Sequence, residues 1–201
     1  TMQGIRVDQD AMERATQFML SEEKKAREEL HKLVGFDVEI WAAASIAKAF
    51  DKLELDYPRT AKDAPSFTKS FLNTHKHPLP KQILLAREFN KSKGTFIDGL
   101  QKHIGRDGRV HGHINQIRSD DGGTVSGRIS MNTPNLQQIP ARHPKLGPLI
   151  RSVFVPNEEE KWASIDYSQQ EPRILVHFAA LYQKRTGKLM PKVNEFVDGY
   201  K

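Results

Sequence analysis

The spacing of apolar residues changes character near residue 105 of this chain. Before this point apolar side chains recur every three or four positions, which predicts amphipathic helices. After it, short alternating segments are separated by glycine and proline turns, as in antiparallel strands. The two patterns predict an α+β fold, with a helical subdomain over residues 1–105 and an antiparallel sheet with a helix over residues 106–201.

In the helical half, Asp8 is a candidate N-cap for a first helix that ends just before Gly35. Two further helices are predicted over residues 40–50 and 81–104. Four prolines interrupt residues 57–80, so this stretch is predicted to be an irregular, basic connection with one short helix.

In the second half, alternation predicts strands over residues 109–117 and 127–130. Residues 149–155 and 161–166 are predicted to form a hairpin across Pro-Asn and three glutamates, followed by a helix over residues 169–184.

Composition limits the classes of protein without choosing one. The chain has no cysteine, so disulfides and thiolate zinc sites are excluded. Residues 1–56 carry 8 basic against 12 acidic side chains, and residues 57–201 carry 23 against 13. A basic stretch beside an acidic one fits a surface that binds a polyanion, but it fits an ordinary solvated surface equally well.

The segment over residues 161–173 carries the candidate chemistry. Asp166 is expected at the end of a strand and Glu171 in the first turn of the next helix, so both carboxylates could face one gap. Ser168 and Glu171 also fit a capping box, in which the two side chains would satisfy amides at the helix start. These residues alone leave both interpretations open.

Four motifs in order resolve the choice through a resemblance. They are Gly4-Ile5-Arg6-Val7-Asp8, then Leu85-Ala86-Arg87-Glu88-Phe89-x-Lys91-x-Lys93-x-Thr95-Phe96-Ile97, then residues 124–140 (TVSGRISMNTPNLQQIP), and Asp166-Tyr167-Ser168-Gln169-x-Glu171-x-Arg173. Together they resemble family A, DNA polymerase I-like, DNA polymerases. The resemblance covers nearly the whole chain and is weakest over residues 35–80.

The resemblance implies a DNA-directed DNA polymerase, a nucleotidyltransferase, with residues 1–105 as thumb and 106–201 as the first part of the palm. Such enzymes use two Mg²⁺ ions to transfer the nucleotidyl group of a deoxynucleoside triphosphate to the primer hydroxyl, with pyrophosphate as the leaving group. Asp166 matches the aspartate that binds both ions, and the carbonyl of Tyr167 matches a second ligand. Glu171 matches the steric gate against a 2′-hydroxyl, and Arg128 is placed with these catalytic residues.

The resemblance also implies a surface for primer–template DNA. The residues matching minor-groove contacts are Arg128, Asn135, Gln137 and Gln138. Those matching thumb contacts to the duplex backbone are Arg87, Lys91 and Thr95. Arg142 and Gln169 are further expected duplex contacts, and Lys62, Lys69 and Lys76 are expected at the thumb tip.

Departures from the family pattern indicate a branch and an incomplete site. Gln170 and Pro172 replace the usual isoleucine and leucine, and Ser126 replaces threonine, which favours a phage-type branch. We therefore expect a cytoplasmic location in a bacterial or phage-infected cell. The fingers helix and the second catalytic aspartate are not in this sequence, so we expect no polymerisation by this chain alone. The alternative is a non-catalytic duplex-binding module derived from a polymerase, and a metal nuclease using Asp166 and Glu171 is a weaker one.

Overall fold

The long first helix begins and ends where its sequence requires. In the computed structural model, which describes residues 3–119, 122–140, 143–188, 192 and 195, helix α1 spans Gln9–Val34. The Asp8 carboxylate accepts a hydrogen bond from the Ala11 amide at 2.9 Å, and Gly35 closes the helix with φ of 72°. A left-handed residue suits glycine, which has no Cβ to clash. Both predicted ends are confirmed.

The other elements follow in a mixed order of helices and short strands. They are β1 (Ile5–Val7), α2 (Ala43–Lys52), α3 (Lys69–Thr74), α4 (Pro78–Ser92), a π-helix (Lys93–Asp98), α5 (Gly99–Gln101), β2 (Arg109–Val110), β3 (His113–Asn115), β4 (Ser130–Asn132), a 3-10 helix (Leu136–Gln138), α6 (Leu146–Arg151), β5 (Phe154–Val155) and α7 (Gln170–Thr186). The chain divides into two compact units, Thr1–Glu159 and Glu160–Lys201. The predicted α+β class is confirmed.

Two hydrophobic clusters stabilise the first unit, and α1 and α4 contribute to both. One cluster packs α2 and α3 against these helices around Phe50. Phe50 is fully buried, and the centre of its ring lies 4.9 Å from that of Phe67. The other packs the opposite ends of α1 and α4 against α6 and the strands through Met19 and Val110. Removing a buried aromatic ring such as that of Phe50 typically costs about 3–5 kcal/mol.

Two small antiparallel sheets complete the first unit. The first has the order β2-β1-β5, with Arg6 paired to Arg109 on one side and to Val155 on the other. The second pairs β3 with β4, and His113 lies opposite Asn132. The predicted boundary between thumb and palm near residue 105 stays a prediction, but β1 pairs with strands that follow it.

The predicted hairpin is wrong. Residues 146–151 form helix α6, only Phe154–Val155 is extended, and it pairs with β1; residues 161–166 form no strand. Leu146, Ile150 and Val153 are buried at helical spacing, a pattern that the short apolar run concealed. The predicted strand over residues 109–117 is divided, because β2 and β3 belong to different sheets.

The predicted helix over residues 81–104 is also interrupted. Residues Lys93–Asp98 adopt a π-helix between α4 and α5, so one turn contains an extra residue. An extra residue rotates all later side chains by about 100° around the helix axis. The four-residue spacing of Arg87, Lys91 and Thr95 therefore does not place all three on one continuous α-helical face.

Candidate nucleic-acid interface

The loop after β4 presents a row of amide side chains on the protein surface. Leu136 and Ile139 turn inward and pack against the second hydrophobic cluster, while Asn135, Gln137 and Gln138 are exposed. Burial of the two apolar residues fixes which side of the 3-10 turn faces outward. The predicted minor-groove amides are therefore brought together on one short, anchored loop.

Hydrogen bonds within this loop use part of the Asn135 and Gln137 side chains. Asn135 Oδ1 accepts from the Gln137 backbone amide at 3.1 Å, which caps the 3-10 helix. Gln137 Nε2 donates to the Ile129 carbonyl at 3.2 Å, which ties the loop back to the residue after Arg128. Both hydrogen bonds are ordinary turn chemistry after Pro134. The Asn135 cap uses only the side-chain oxygen and leaves the amide nitrogen as a donor.

Arg128 lies at an exposed position just before β4. The Thr124 hydroxyl donates to the Arg128 carbonyl at 2.6 Å, and the Ser126 hydroxyl donates to Thr124 Oγ1 at 3.3 Å. These bonds hold the backbone of the turn that carries Arg128. The Gln137–Ile129 hydrogen bond ties the turn that carries Arg128 to the loop of the three amides, and we call these four residues the amide loop (Arg128, Asn135, Gln137 and Gln138).

The residues predicted to lie on the thumb differ in how they are placed. Lys91 near the end of α4 and Thr95 in the π-helix are exposed. Arg87 is half-buried: its Nε donates to the Ile40 carbonyl at 2.6 Å and its Nη1 to the Phe67 carbonyl at 3.0 Å. Burial lowers the pKa of the Arg87 guanidinium from its usual value. Lys62, Lys69 and Lys76 are exposed as expected for surface lysines.

The structure gives little about the two further expected duplex contacts, Arg142 and Gln169. Arg142 lies outside the described residues. Its neighbour His143 fixes the start of α6, because His143 Nδ1 accepts from the Leu146 amide at 2.9 Å and Nε2 lies 3.3 Å from Glu88 Oε1 on α4. Gln169 is exposed at the start of α7 with φ of 55°.

The second unit holds the candidate metal ligands. Asp166 and Tyr167 lie in an exposed segment without regular secondary structure before α7, and Glu171 lies in the first turn of that helix. The alternative capping box is wrong, because Gln169 is the N-cap and makes no side-chain capping bond. Arg173 Nε instead donates to the Ser168 carbonyl at 2.9 Å, which orders the turn that follows Asp166 and Tyr167.

The donor chemistry near Asp166 suits a hard cation but is incomplete. Carboxylate and carbonyl oxygens are the ligands that Mg²⁺ prefers. Among the residues that the structure describes, no group of three or more histidine, aspartate or glutamate side chains could hold a metal ion. Asp166 and the Tyr167 carbonyl therefore stay predicted ligands, and the described residues around them form no complete metal site.

Three residues around α4 were not predicted from the sequence. Trp41, Asn90 and Glu23 form a hydrogen-bonded chain beside Arg87, although they lie far apart in the sequence. Neither Trp41, which follows Ile40 and precedes three alanines, nor Glu23 on α1 has a spacing that points to the other.

The architecture is that of part of a DNA polymerase domain. It is similar to the POL domain of Pol1 from M. smegmatis, solved in complex with DNA primer-template and dNTP, with a TM-score of 0.67 and 29% identity. The match covers 88% of this chain and 31% of that one. No described helix is long and apolar enough to cross a membrane.

Sequence comparison identifies the family. Residues 9–183 match DNA polymerase family A. A DNA-directed DNA polymerase of Pseudomonas phage M6 is 34% identical over 92% of this chain and 29% of its own length. A thermostable DNA polymerase I of Thermus thermophilus is 33% identical over 88% of this chain and 21% of its own length.

The chain therefore belongs to DNA polymerase family A, as its motifs predicted. It spans less than a third of the length of these relatives. Both phage and bacterial enzymes are among them, which fits the predicted phage-type branch.

Proposed function

We propose that this chain binds primer–template DNA as part of a DNA-directed DNA polymerase and supplies one metal-binding aspartate for nucleotidyl transfer. The observation that carries the proposal is the amide loop, in which Leu136 and Ile139 anchor a turn whose polar side chains face outward. Family membership supports the enzyme class. DNA and dNTP as partners are supported by the complex in which the M. smegmatis domain was solved.

The amide loop has the chemistry needed to test base-pair shape. Every Watson–Crick pair presents hydrogen-bond acceptors in the minor groove, so fixed donors can contact any correct pair without reading its sequence. The amide nitrogen of Asn135 is such a donor, and its oxygen is held by the Gln137 amide. Arg128 and Gln138 would add a guanidinium and a second amide from the same surface.

The thumb would contribute contacts to the phosphate backbone. Lys91 and Thr95 are exposed near the end of α4 and in the π-helix. A lysine near a phosphate adds affinity without sequence information and makes binding weaken with salt. Arg142, Gln169 and the thumb-tip lysines are proposed as further, weaker contributors.

Asp166 would serve as one carboxylate ligand of the Mg²⁺ pair, with the Tyr167 carbonyl as a second oxygen ligand. When bound, the metal pair would neutralise charge on the attacking and leaving oxygens. Glu171 would exclude a 2′-hydroxyl, because a hydroxyl forced against a held carboxylate loses both space and hydration. Since the described residues complete no metal site, we propose that this chain alone does not extend a primer.

The first experiment is fluorescence anisotropy of the chain on primer–template duplex and on single-stranded DNA, over a series of salt concentrations. The proposal expects saturable binding that favours the duplex, with a log–log salt slope corresponding to several phosphates. Gln138→Ala should weaken duplex binding, and Gln17→Ala, the same substitution at an exposed position of α1, is the matched control. Equal affinity for both DNAs from folded protein would refute the proposal.

A second experiment separates the polymerase from the non-catalytic module. A longer polypeptide that contains this chain and the remaining family A region should extend a primer with Mg²⁺, and Asp166→Ala should abolish extension while duplex binding persists. Extension that survives Asp166→Ala would contradict the proposed metal role. Extension by the 201-residue chain alone would contradict the proposed dependence on further residues.

A further inference from the structure

We infer that Arg87 is a positioning residue of the thumb and not a phosphate contact. Trp41, Asn90 and Glu23 belong to the same network of side-chain contacts. The hydrogen-bonded network follows from the geometry of α4 alone. Its effect on DNA binding rests on the proposed function. It revises the role that the helix motif implied for Arg87. It also assigns a role to Trp41, which no motif marked.

The Arg87 guanidinium joins two segments that are distant in sequence. Its Nε donates to the Ile40 carbonyl and its Nη1 to the Phe67 carbonyl, 47 and 20 residues away. A planar guanidinium can satisfy two such acceptors at fixed angles, which an ammonium group on a flexible stem cannot. Arg87 therefore fastens the segment before α2 and the segment before α3 to α4.

Trp41 covers the same guanidinium and is itself fixed. The Arg87 guanidinium lies 5.2 Å from the centre of the Trp41 ring, within the range of a cation–π contact. Trp41 Nε1 donates to Asn90 Oδ1 at 3.0 Å. The ring is thus held at two points although it is about half exposed, with 53% of its surface accessible.

Asn90 connects this group to α1. Its Nδ2 donates to both oxygens of Glu23, at 3.2 and 3.3 Å, and Arg27 Nε donates to Glu23 Oε1 at 2.9 Å. The tryptophan requires an acceptor and the carboxylate a donor, so only one orientation of the Asn90 amide satisfies both. Glu23 is only 9% exposed, so this carboxylate depends on its partners.

The consequence concerns Lys91. It directly follows Asn90 and lies one helical turn beyond Arg87, so the network fixes the backbone that presents its ammonium group. Two carbonyls and the Trp41 ring hold the half-buried Arg87 side chain in place, so moving it outward to a phosphate would break these charge-assisted hydrogen bonds. The structure assigns phosphate contact to Lys91 and alignment to Arg87.

Thermal unfolding and duplex anisotropy over a salt series distinguish the two roles, using Arg87→Gln, Arg87→Lys, Trp41→Phe and, as matched comparison, Lys91→Gln. A positioning role predicts that Arg87→Gln and Arg87→Lys both lower Tm by about 4–8 °C. Trp41→Phe removes one N–H and should lower Tm by about 2–4 °C. All three should weaken duplex binding without changing the log–log salt slope.

Lys91→Gln should do the reverse, leaving Tm unchanged and reducing the slope by about 0.9, the value for one phosphate. An Arg87→Gln slope reduced by the same amount with an unchanged Tm, and an Arg87→Lys protein like wild type, would overturn the inference.

The inference and the proposed function fail separately. If the wild-type chain does not bind duplex, the proposed function fails, while the Tm values still decide whether Arg87 fastens the two segments. Residues in one network show coupling. If the Tm changes of Arg87→Lys and Trp41→Phe simply add in the double variant, the two residues do not share a network.

Discussion

The Lys93 ammonium lies 2.7 Å from the Asp98 carboxylate, five residues further along the chain. In an α-helix, residues five apart are separated by about 140° around the axis and do not meet. The π-turn over Lys93–Asp98 brings them to the same face, so the ion pair is a direct consequence of the extra residue. The pair clamps the turn that separates Lys91 from Thr95.

The Lys93–Asp98 pair should stabilise the π-turn modestly. Both side chains are partly exposed, so we expect a coupling of about 0.5 kcal/mol from a double-mutant cycle of Lys93→Met and Asp98→Asn. Urea unfolding at low and high salt measures it. The coupling should shrink at 1 M salt, and a coupling that is zero at low salt would contradict a clamping role.

Two substitutions of Asn135 should separate its capping role from its proposed contact with DNA. Asn135→Ser keeps an oxygen that can accept from the Gln137 amide but removes the amide donor, so Tm should hold while duplex affinity falls. Asn135→Ala removes both, and loss of a cap typically costs about 1 kcal/mol. Anisotropy and thermal unfolding of the two variants test this. Equal duplex affinity for Asn135→Ser and wild type would show that the amide nitrogen has no part in binding.

Gly123 should be intolerant of a side chain. Its φ is 104°, and an added Cβ would lie 2.5 Å from the Ile117 carbonyl oxygen and 2.6 Å from the Arg118 Cα, both backbone atoms that cannot rotate away. Gly123→Ala should therefore destabilise the protein by about 1–3 kcal/mol.

Gly127→Ala is the control for that substitution. Gly127 also has positive φ, at 76°, but an added Cβ would meet nothing within 4 Å. Its cost should be confined to backbone strain, about 1–2 kcal/mol. Denaturant unfolding of both variants compares them, and a larger loss for Gly127→Ala would contradict the role of the close backbone contact.

Acid should weaken the link between Asp107 and His111. The hydrogen bond from His111 lowers the pKa of the Asp107 carboxyl, and the carboxylate lies 2.7 Å from His111 Nε2. A carboxyl with a lower pKa in the folded state adds stability above its unfolded pKa, near ~3.9. That stability disappears as pH falls through the lower, folded value. Tm measured from pH 5 to pH 2 should fall less for Asp107→Asn than for wild type, and identical profiles would argue against the link.

Features set by neighbouring residues could be predicted from the sequence alone. The ends of α1 are set by Asp8 and Gly35, each acting within its own few residues. The motif around Asp166 and Tyr167 is likewise contiguous, so it carries the family resemblance without any knowledge of folding. The order of motifs and the α+β class were predictable for the same reason.

Contacts between distant segments were decided only by the tertiary structure. The predicted hairpin is absent, and β5 pairs instead with β1, which lies about 150 residues earlier in the chain. Residues of α6 and Val7 of β1 pack in the same hydrophobic cluster, and no local sequence pattern encodes that contact. The inward turn of Arg87 depends on carbonyls from Ile40 and Phe67, which no helical spacing on α4 encodes. Residue type and local spacing determine caps, motifs and family, while the direction in which a side chain points depends on acceptors that the rest of the fold brings within about 3 Å.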